Sequence, residues 1–169
     1  MAKGRRILRD LLLLLLMMMA VLFTVIDFFR APQAPTGFAD IPLHTIDGRD
    51  VTLAELSMKK PLLVYFWASW CGICRYTTPD VVKLSDNGSN VLTVAIRSGD
   101  DSRVVRYLNG KHLTLPVVND PQGSMAANWD VSVTPTLLVV SKGQVVQSTT
   151  GWTSYWGMKL RLWWAQKKH

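Results

Sequence analysis

Two cysteines, Cys71 and Cys74, are the only ones in the chain. Thiols three positions apart can close into a disulfide with little backbone movement when the first stands at a helix N-terminus and the second lies one turn inside it. The free amides and positive dipole end of such a helix start stabilise a thiolate at Cys71, and Arg75 adds a nearby positive charge. Cys71 is then expected to attack, and Cys74 to resolve the mixed disulfide. The same spacing also serves zinc knuckles and Cu(I) carriers, and a purely structural disulfide would use it too. One pair cannot build the disulfide framework of a small secreted protein, and His44, His112 and His169 lack the short paired spacing of a zinc module. No metal and no cofactor is therefore expected.

The elements that must position the pair favour dithiol chemistry over the alternatives. Leu62 to Trp67 reads as a buried strand running straight into the cysteines, and a helix-like segment continues through Tyr76, Val81, Val82 and Leu84, with Pro79 expected to kink it. About sixty residues on, Thr134-Pro135 precedes a strand from Thr136 to Val140. X-Pro bonds can be cis. A cis bond here would turn the backbone of Thr134 toward Cys71, where it could pair with an extended substrate chain by β-type hydrogen bonds. Trp70 is expected to form an apolar platform beside Cys71, and Trp67 to lie in the core. Asp100 and Asp101 precede a helical stretch, Ser102 to Leu108. Their ordinary role would be an N-cap or a solvated turn; if their loop folds over the pair, they are candidates for proton transfer at Cys74.

Trp70-Cys71-Gly72-Ile73-Cys74 after a hydrophobic strand, with Val133-Thr134-Pro135-Thr136-Leu137 downstream, resembles the active site and cis-proline loop of the thioredoxin superfamily. With its N-terminal apolar run and hairpin-like lead-in, the chain resembles the membrane-tethered, periplasm-facing branch that includes the TlpA-like and cytochrome c-maturation thioredoxins. Arg30 to Pro35, Arg97 to Asp101 and Gly151 to Trp164 resemble the suppressor-of-copper-sensitivity (Scs) group within it. That resemblance implies a thioredoxin-like α/β fold, protein-disulfide oxidoreductase activity, periplasmic thiol or disulfide proteins as partners, a membrane reductase as electron donor, and a link to copper stress. Departures bear on mechanism. The intervening pair is Gly72-Ile73, where cytosolic thioredoxins carry Gly-Pro and strongly oxidising relatives carry Pro-His; without a histidine to stabilise the reduced thiolate, the chain leans toward reduction. Oxidase or isomerase activity on the same fold, and a non-catalytic Cu(I)-binding module, are the alternatives. Tyr65 stands where thioredoxins place a buried acidic residue, and Thr77 where some tethered relatives carry a glutamate.

The 169 residues carry a formal net charge of +7. Five of the 19 basic residues flank an apolar run; from Ala31 onward 14 basic and 10 acidic residues remain. No Lys/Arg stripe with interleaved aromatics suggests a nucleic-acid surface. The run from Leu11 to Phe29 is long enough, at roughly 28 Å as a helix, to cross a bilayer once. Positive charges before it favour a cytoplasmic N-terminus and an exported remainder; taken with the resemblance above, this implies a bacterial inner membrane with the domain in the periplasm. A cleaved signal peptide is the competing reading, but Gly37-Phe38-Ala39 comes late for a cleavage site. Met17, Met18 and Met19 are read as apolar filler.

Three parts are expected: residues 1–30 as cytoplasmic tip and anchor, 31–40 as a Pro-containing tether, and 41–169 as one domain with a central mixed sheet flanked by helices. Leu43 to Ile46 and Val51 to Leu53 read as a hairpin. Val91 to Ile96 reads as a parallel strand and Pro116 to Val118 as an extended piece. Asp120-Pro121 is a cap and first-turn pair for a helix through Trp129, and Val145 to Thr149 is a last strand. In the segment Ser154 to Lys168, Trp156, Leu160, Trp163 and Trp164 share a helical face, expected to pack on the sheet; the rival reading uses Trp163, Trp164, Lys167 and Lys168 at a membrane interface.

Overall fold

A computed structural model describes residues 2–29, 35 and 37–168. Half of the expected tether, residues 31–34 and 36, lies outside these residues. The helix α1 spans Ala2–Phe29 and includes a 20-residue apolar stretch, Ile7–Ile26, long enough to cross a membrane. The folded domain begins with a short 3₁₀ turn, Phe38–Asp40, and a small hairpin of β1 (Leu43–His44) and β2 (Asp50–Val51).

Strand β3 (Leu62–Trp67) lies at the centre of a five-stranded sheet ordered β5-β4-β3-β6-β7. On one side it pairs in parallel with β4 (Asn90–Ile96), and β4 with β5 (Val117–Asp120). On the other it pairs antiparallel with β6 (Thr136–Ser141), which turns through Lys142 and Gly143 into antiparallel β7 (Gln144–Thr150). The N-terminal hairpin extends the β5 edge through a bridge between Thr45 and Val118 and a hydrogen bond from Ile46 N–H to the Val117 carbonyl.

All six side chains of β3 are inaccessible to solvent, which explains its unbroken apolar sequence. Strand alternation sends Leu63, Tyr65 and Trp67 into one core layer and Leu62, Val64 and Phe66 into the other. The first layer is closed by α3 (Cys74–Asp86), α4 (Asp101–Gly110) and α6 (Tyr155–Lys168), through Val81, Leu84, Val104, Leu108, Met158, Leu162 and Ala165. The second is closed by α2 (Leu53–Ser57), α5 (Ser124–Asn128) and the segment before β1. Phe38 sets its ring edge-on to Trp129 at 4.8 Å, so the residues just before β1 belong to the core.

Several expectations need correction. Leu53 opens α2 instead of ending a strand, because the Thr52 side chain accepts the Glu55 N–H and caps a helix. The helix after Asp120 starts at Ser124; Asp120 still caps it, but from within β5, accepting the Ala126 N–H. Cys71 lies in the turn before α3, and Cys74 is the first residue of that helix, one turn later than the spacing suggested. The last helix is rotated: Met158, Arg161, Leu162 and Ala165 face inward, while Trp156, Leu160 and Trp163 are exposed.

The phenol of Tyr65 and the hydroxyl of Thr78 hydrogen-bond at 2.9 Å inside the first layer. Tyr65→Phe leaves the buried Thr78 hydroxyl without this partner and is expected to cost about 1 kcal/mol, read as a fall of roughly 3 °C in thermal midpoint.

Candidate functional site

The C-terminal end of β3 delivers Ala68 to Cys71 to one end of the sheet. Cys71 N–H bonds to the Ala68 carbonyl and Ser69 N–H to the Ser98 hydroxyl, while the Trp70 indole N–H reaches the Arg97 carbonyl at 3.1 Å. The loop is thereby fastened to the segment that follows β4. Cys71 and Cys74 are joined as a disulfide with their Cα atoms 5.3 Å apart.

The two sulfurs occupy unlike surroundings. Cys71 is partly exposed, and its Sγ accepts the Cys74 N–H at 3.2 Å. This is one of the amides a helix leaves unpaired at its start, and it favours negative charge on Sγ once the bond opens. Cys74 is 1% exposed. A partner sulfur can reach Cys71 from solvent, whereas Cys74 is reachable only through Cys71. Trp70, Ile73 and Tyr76 surround the pair as exposed apolar surface, and Arg75 is exposed on the first turn of α3.

The Thr134–Pro135 peptide is cis. The Pro135 carbonyl accepts the Gly151 N–H, and the Val133 carbonyl accepts the Thr136 hydroxyl. Thr134 lines a cleft of about 290 Å³ together with Trp70, Arg97, Asp130 and Val133. The structure therefore brings Thr134 and Trp70, the residue before Cys71, to one groove. Trp67 is in the core, its indole donating to the Thr93 hydroxyl.

Arg97, legible in the sequence only as the first residue of the Arg97-to-Asp101 stretch, lies at the groove. Its backbone is in the left-handed region (φ 46°), its Nε donates to the Gln122 carbonyl, and its side chain lies against Gly123. A Cβ on Gly123 would come within 2.7 Å of that Nε, so the glycine makes room for the guanidinium at the groove. The pairing of Arg97 with a distant glycine is a tertiary relation with no local sequence signal.

Asp100 and Asp101 are engaged elsewhere. The Asp100 carboxylate accepts the Arg103 N–H at 2.8 Å and the Ser102 hydroxyl at 2.9 Å, capping α4; these bonds hold its pKa below the ordinary carboxylate value. Asp101 accepts from the Asn119 side-chain amide. The cleft both line contains neither cysteine. Behind Cys74 the buried polar groups are Thr77, Thr78 and Tyr65, and burial raises the Tyr65 pKa far above its ordinary value, so its phenol stays protonated. Among the described residues the only buried carboxylate is Asp120, committed to capping α5. No group of three or more potential metal-binding side chains occurs among the described residues.

The Redoxin family model matches residues 30–154. The chain belongs to the Redoxin family. This redoxin is 42% identical over 146 residues to a thioredoxin-like protein of Haemophilus influenzae, covering 86% of this chain and 87% of the relative. It is 26% identical over 109 residues to the thiol:disulfide interchange protein DsbE of Pseudomonas aeruginosa, covering 64% and 59%. Among solved structures, DsbF of Mycobacterium tuberculosis, determined in mixed oxidized and reduced forms, superposes with a TM-score of 0.65 at 25% identity, covering 79% of this chain and 99% of that one. The redoxin is a thiol–disulfide oxidoreductase of thioredoxin-like fold with Cys71 and Cys74 as its disulfide-capable pair.

The capped state of Asp100 gives a pH test. Its lowered folded-state pKa contributes stability that is present above the unfolded value and lost as pH falls through the folded one. Replacing Asp100 and Asp101 together by Asn is expected to leave the pH profile of disulfide exchange between about pH 6 and 9 unchanged, while acid unfolding becomes less steep in pH. Stopped-flow reduction of a model disulfide and acid titration of circular dichroism measure the two.

Proposed function

We propose that this redoxin is held in a bacterial inner membrane by α1, with its domain on the periplasmic side, and reduces disulfides of partner proteins there. The supporting observation is the asymmetry of the two cysteines: Cys71 partly exposed, its Sγ accepting a helix-start amide, and Cys74 buried behind it. In the reduced protein the Cys71 thiolate attacks one sulfur of a partner disulfide. The partner S–S bond breaks, the other partner sulfur leaves as a thiolate and takes a proton, and Cys71 is left in a mixed disulfide. Cys74 then gives up its proton and attacks Sγ of Cys71, expelling the second partner thiol and forming the disulfide seen in the structure. Two electrons pass from the dithiol to the partner.

With no buried carboxylate at Cys74, its proton leaves to water that enters with the partner. The cis-proline side of the groove offers main-chain groups of Thr134, and an extended partner segment lying along it would present its disulfide to Cys71. Trp70 supplies the apolar floor.

The direction of transfer rests on the chemistry between the cysteines. Gly72 and Ile73 carry no charge to stabilise the reduced thiolate, so the disulfide is a weaker oxidant than one with an intervening histidine. Re-reduction then falls to a membrane electron carrier, since a bacterial periplasm is kept oxidising. An uncleaved anchor is supported by Phe38 and Ala39, which cleavage after Ala39 would remove from the core.

Cys74→Ser, expressed in cells, is expected to hold a covalent partner complex at Cys71 that reductant dissolves. Its absence, together with no complex from Cys71→Ser, would count against exchange through this pair. Acid-quenched thiol trapping of the native protein is expected to find mostly dithiol; a resting population that is mostly disulfide would reverse the assigned direction.

A further inference from the structure

Helix α6 is apolar on two sides. Met158, Leu162 and Ala165 fill the core, yet Trp156, Leu160 and Trp163, at i, i+4 and i+7, form a ridge along the opposite, exposed face. Trp152, just ahead of the helix, is 62% exposed and Trp156 is 72% exposed. Large aromatic side chains left in water along one flank of a domain signal a contact surface.

The charged side chains of α6 are all basic. Lys159, Lys167 and Lys168 lie on α6, Lys159 above the rings of Tyr155 and Trp156 and Lys168 above that of Trp164, and Lys60 joins Trp163 and Lys159 around a cleft near the far end. No acidic residue occurs from Tyr155 to Lys168. The Asp80 carboxylate accepts the Tyr155 N–H at the start of the helix.

The anchor indicates what this flank meets. Phe23 and Thr24, near the end of the apolar span of α1, line one cleft of about 480 Å³ with Trp152, Leu160 and Arg161. When Ile7–Ile26 crosses a bilayer, Phe23 and Thr24 lie close to the boundary between acyl chains and headgroups, and Trp152 and Leu160 come to the same depth. Tryptophan is favoured at that depth, and lysines beside it favour anionic headgroups.

We propose that the Trp152, Trp156, Leu160 and Trp163 flank lies on the surface of an anionic phospholipid bilayer, so that the domain rests against the membrane instead of swinging free on its tether. This rests on the reading of α1 as an anchor. It also places the redox groove beside the bilayer, because Trp152 follows Gly151, whose N–H bonds to the Pro135 carbonyl.

All seven tryptophans lie outside α1, at positions 67, 70, 129, 152, 156, 163 and 164, so tryptophan emission reports on the domain alone. The test is emission of the full-length protein in vesicles of phosphatidylethanolamine and phosphatidylglycerol with brominated acyl chains, against the same vesicles unbrominated. A quenched fraction is expected, with most of it lost in a Trp152→Ser, Trp156→Ser, Trp163→Ser triple variant and much of it lost in brominated phosphatidylcholine. Absence of quenching, or quenching untouched by the triple variant, overturns the proposal; equal quenching in phosphatidylcholine overturns its anionic part. Co-flotation with the vesicles checks the anchor separately, and insulin reduction by the triple variant, expected at the native rate, checks that the redox site is intact.

Discussion

Everything in this fold depends on burying one strand on both faces. Strand β3 has no solvent-exposed side chain, and its alternating residues supply the middle of two separate core layers. At about 25 cal/mol per Å² of apolar surface, removing a run of Leu, Val, Phe and Trp from water is a large local gain for the folded domain. The flanking strands on either side, and the helices above and below, are the means of that burial. Its chemical result is positional: the strand can end only at the edge of the sheet, and the next residues are the Cys-x-x-Cys turn. Open α/β sheets place reactive groups in that way, beyond the carboxyl ends of their strands.

Few charges act directly at the sulfurs. A helix-start amide meets Sγ of Cys71, and exposed Arg75 lies one residue past the pair. The core behind Cys74 offers hydroxyls in place of a carboxylate, and the Tyr65 hydroxyl is itself fixed to Thr78. The Thr77 hydroxyl is buried with no hydrogen-bond partner. Two bonds, from Ser69 to Ser98 and from Trp70 to Arg97, fix the loop to the segment that follows β4, so the loop before Cys71 is held at the end of the sheet.

The parts of this arrangement with a local cause could be read in the sequence. A six-residue apolar run with lysines and a proline before it and the cysteines soon after reads as a buried strand leading to the pair, and Thr134-Pro135 before another apolar run marks a second part of the groove. The central sheet and the hairpin were legible for the same reason. What escaped was decided by packing. Leu53 fits a strand pattern until the Thr52 cap makes it the first residue of a helix. In α6, tryptophans at helical spacing looked like the inward face, yet Met158, Leu162 and Ala165 are the residues that fit beside α3 and the sheet, and the larger rings were turned outward. Hydrophobic periodicity identifies a helix; with apolar residues on two faces it does not identify which is buried. Arg97 and Gly123 are 26 positions apart and meet only in the folded protein.

The covalent link between Cys71 and Cys74 closes a ring spanning only a tight turn, and it ties together no two distant parts of the chain. Making or breaking so short a loop changes the freedom of the unfolded polypeptide far less than a cross-link between remote segments would. The sheet, both core layers and the capped helices are held by contacts that do not include this bond. A molecule built in this way can accept and surrender electrons over many rounds without its architecture having to be rebuilt each time.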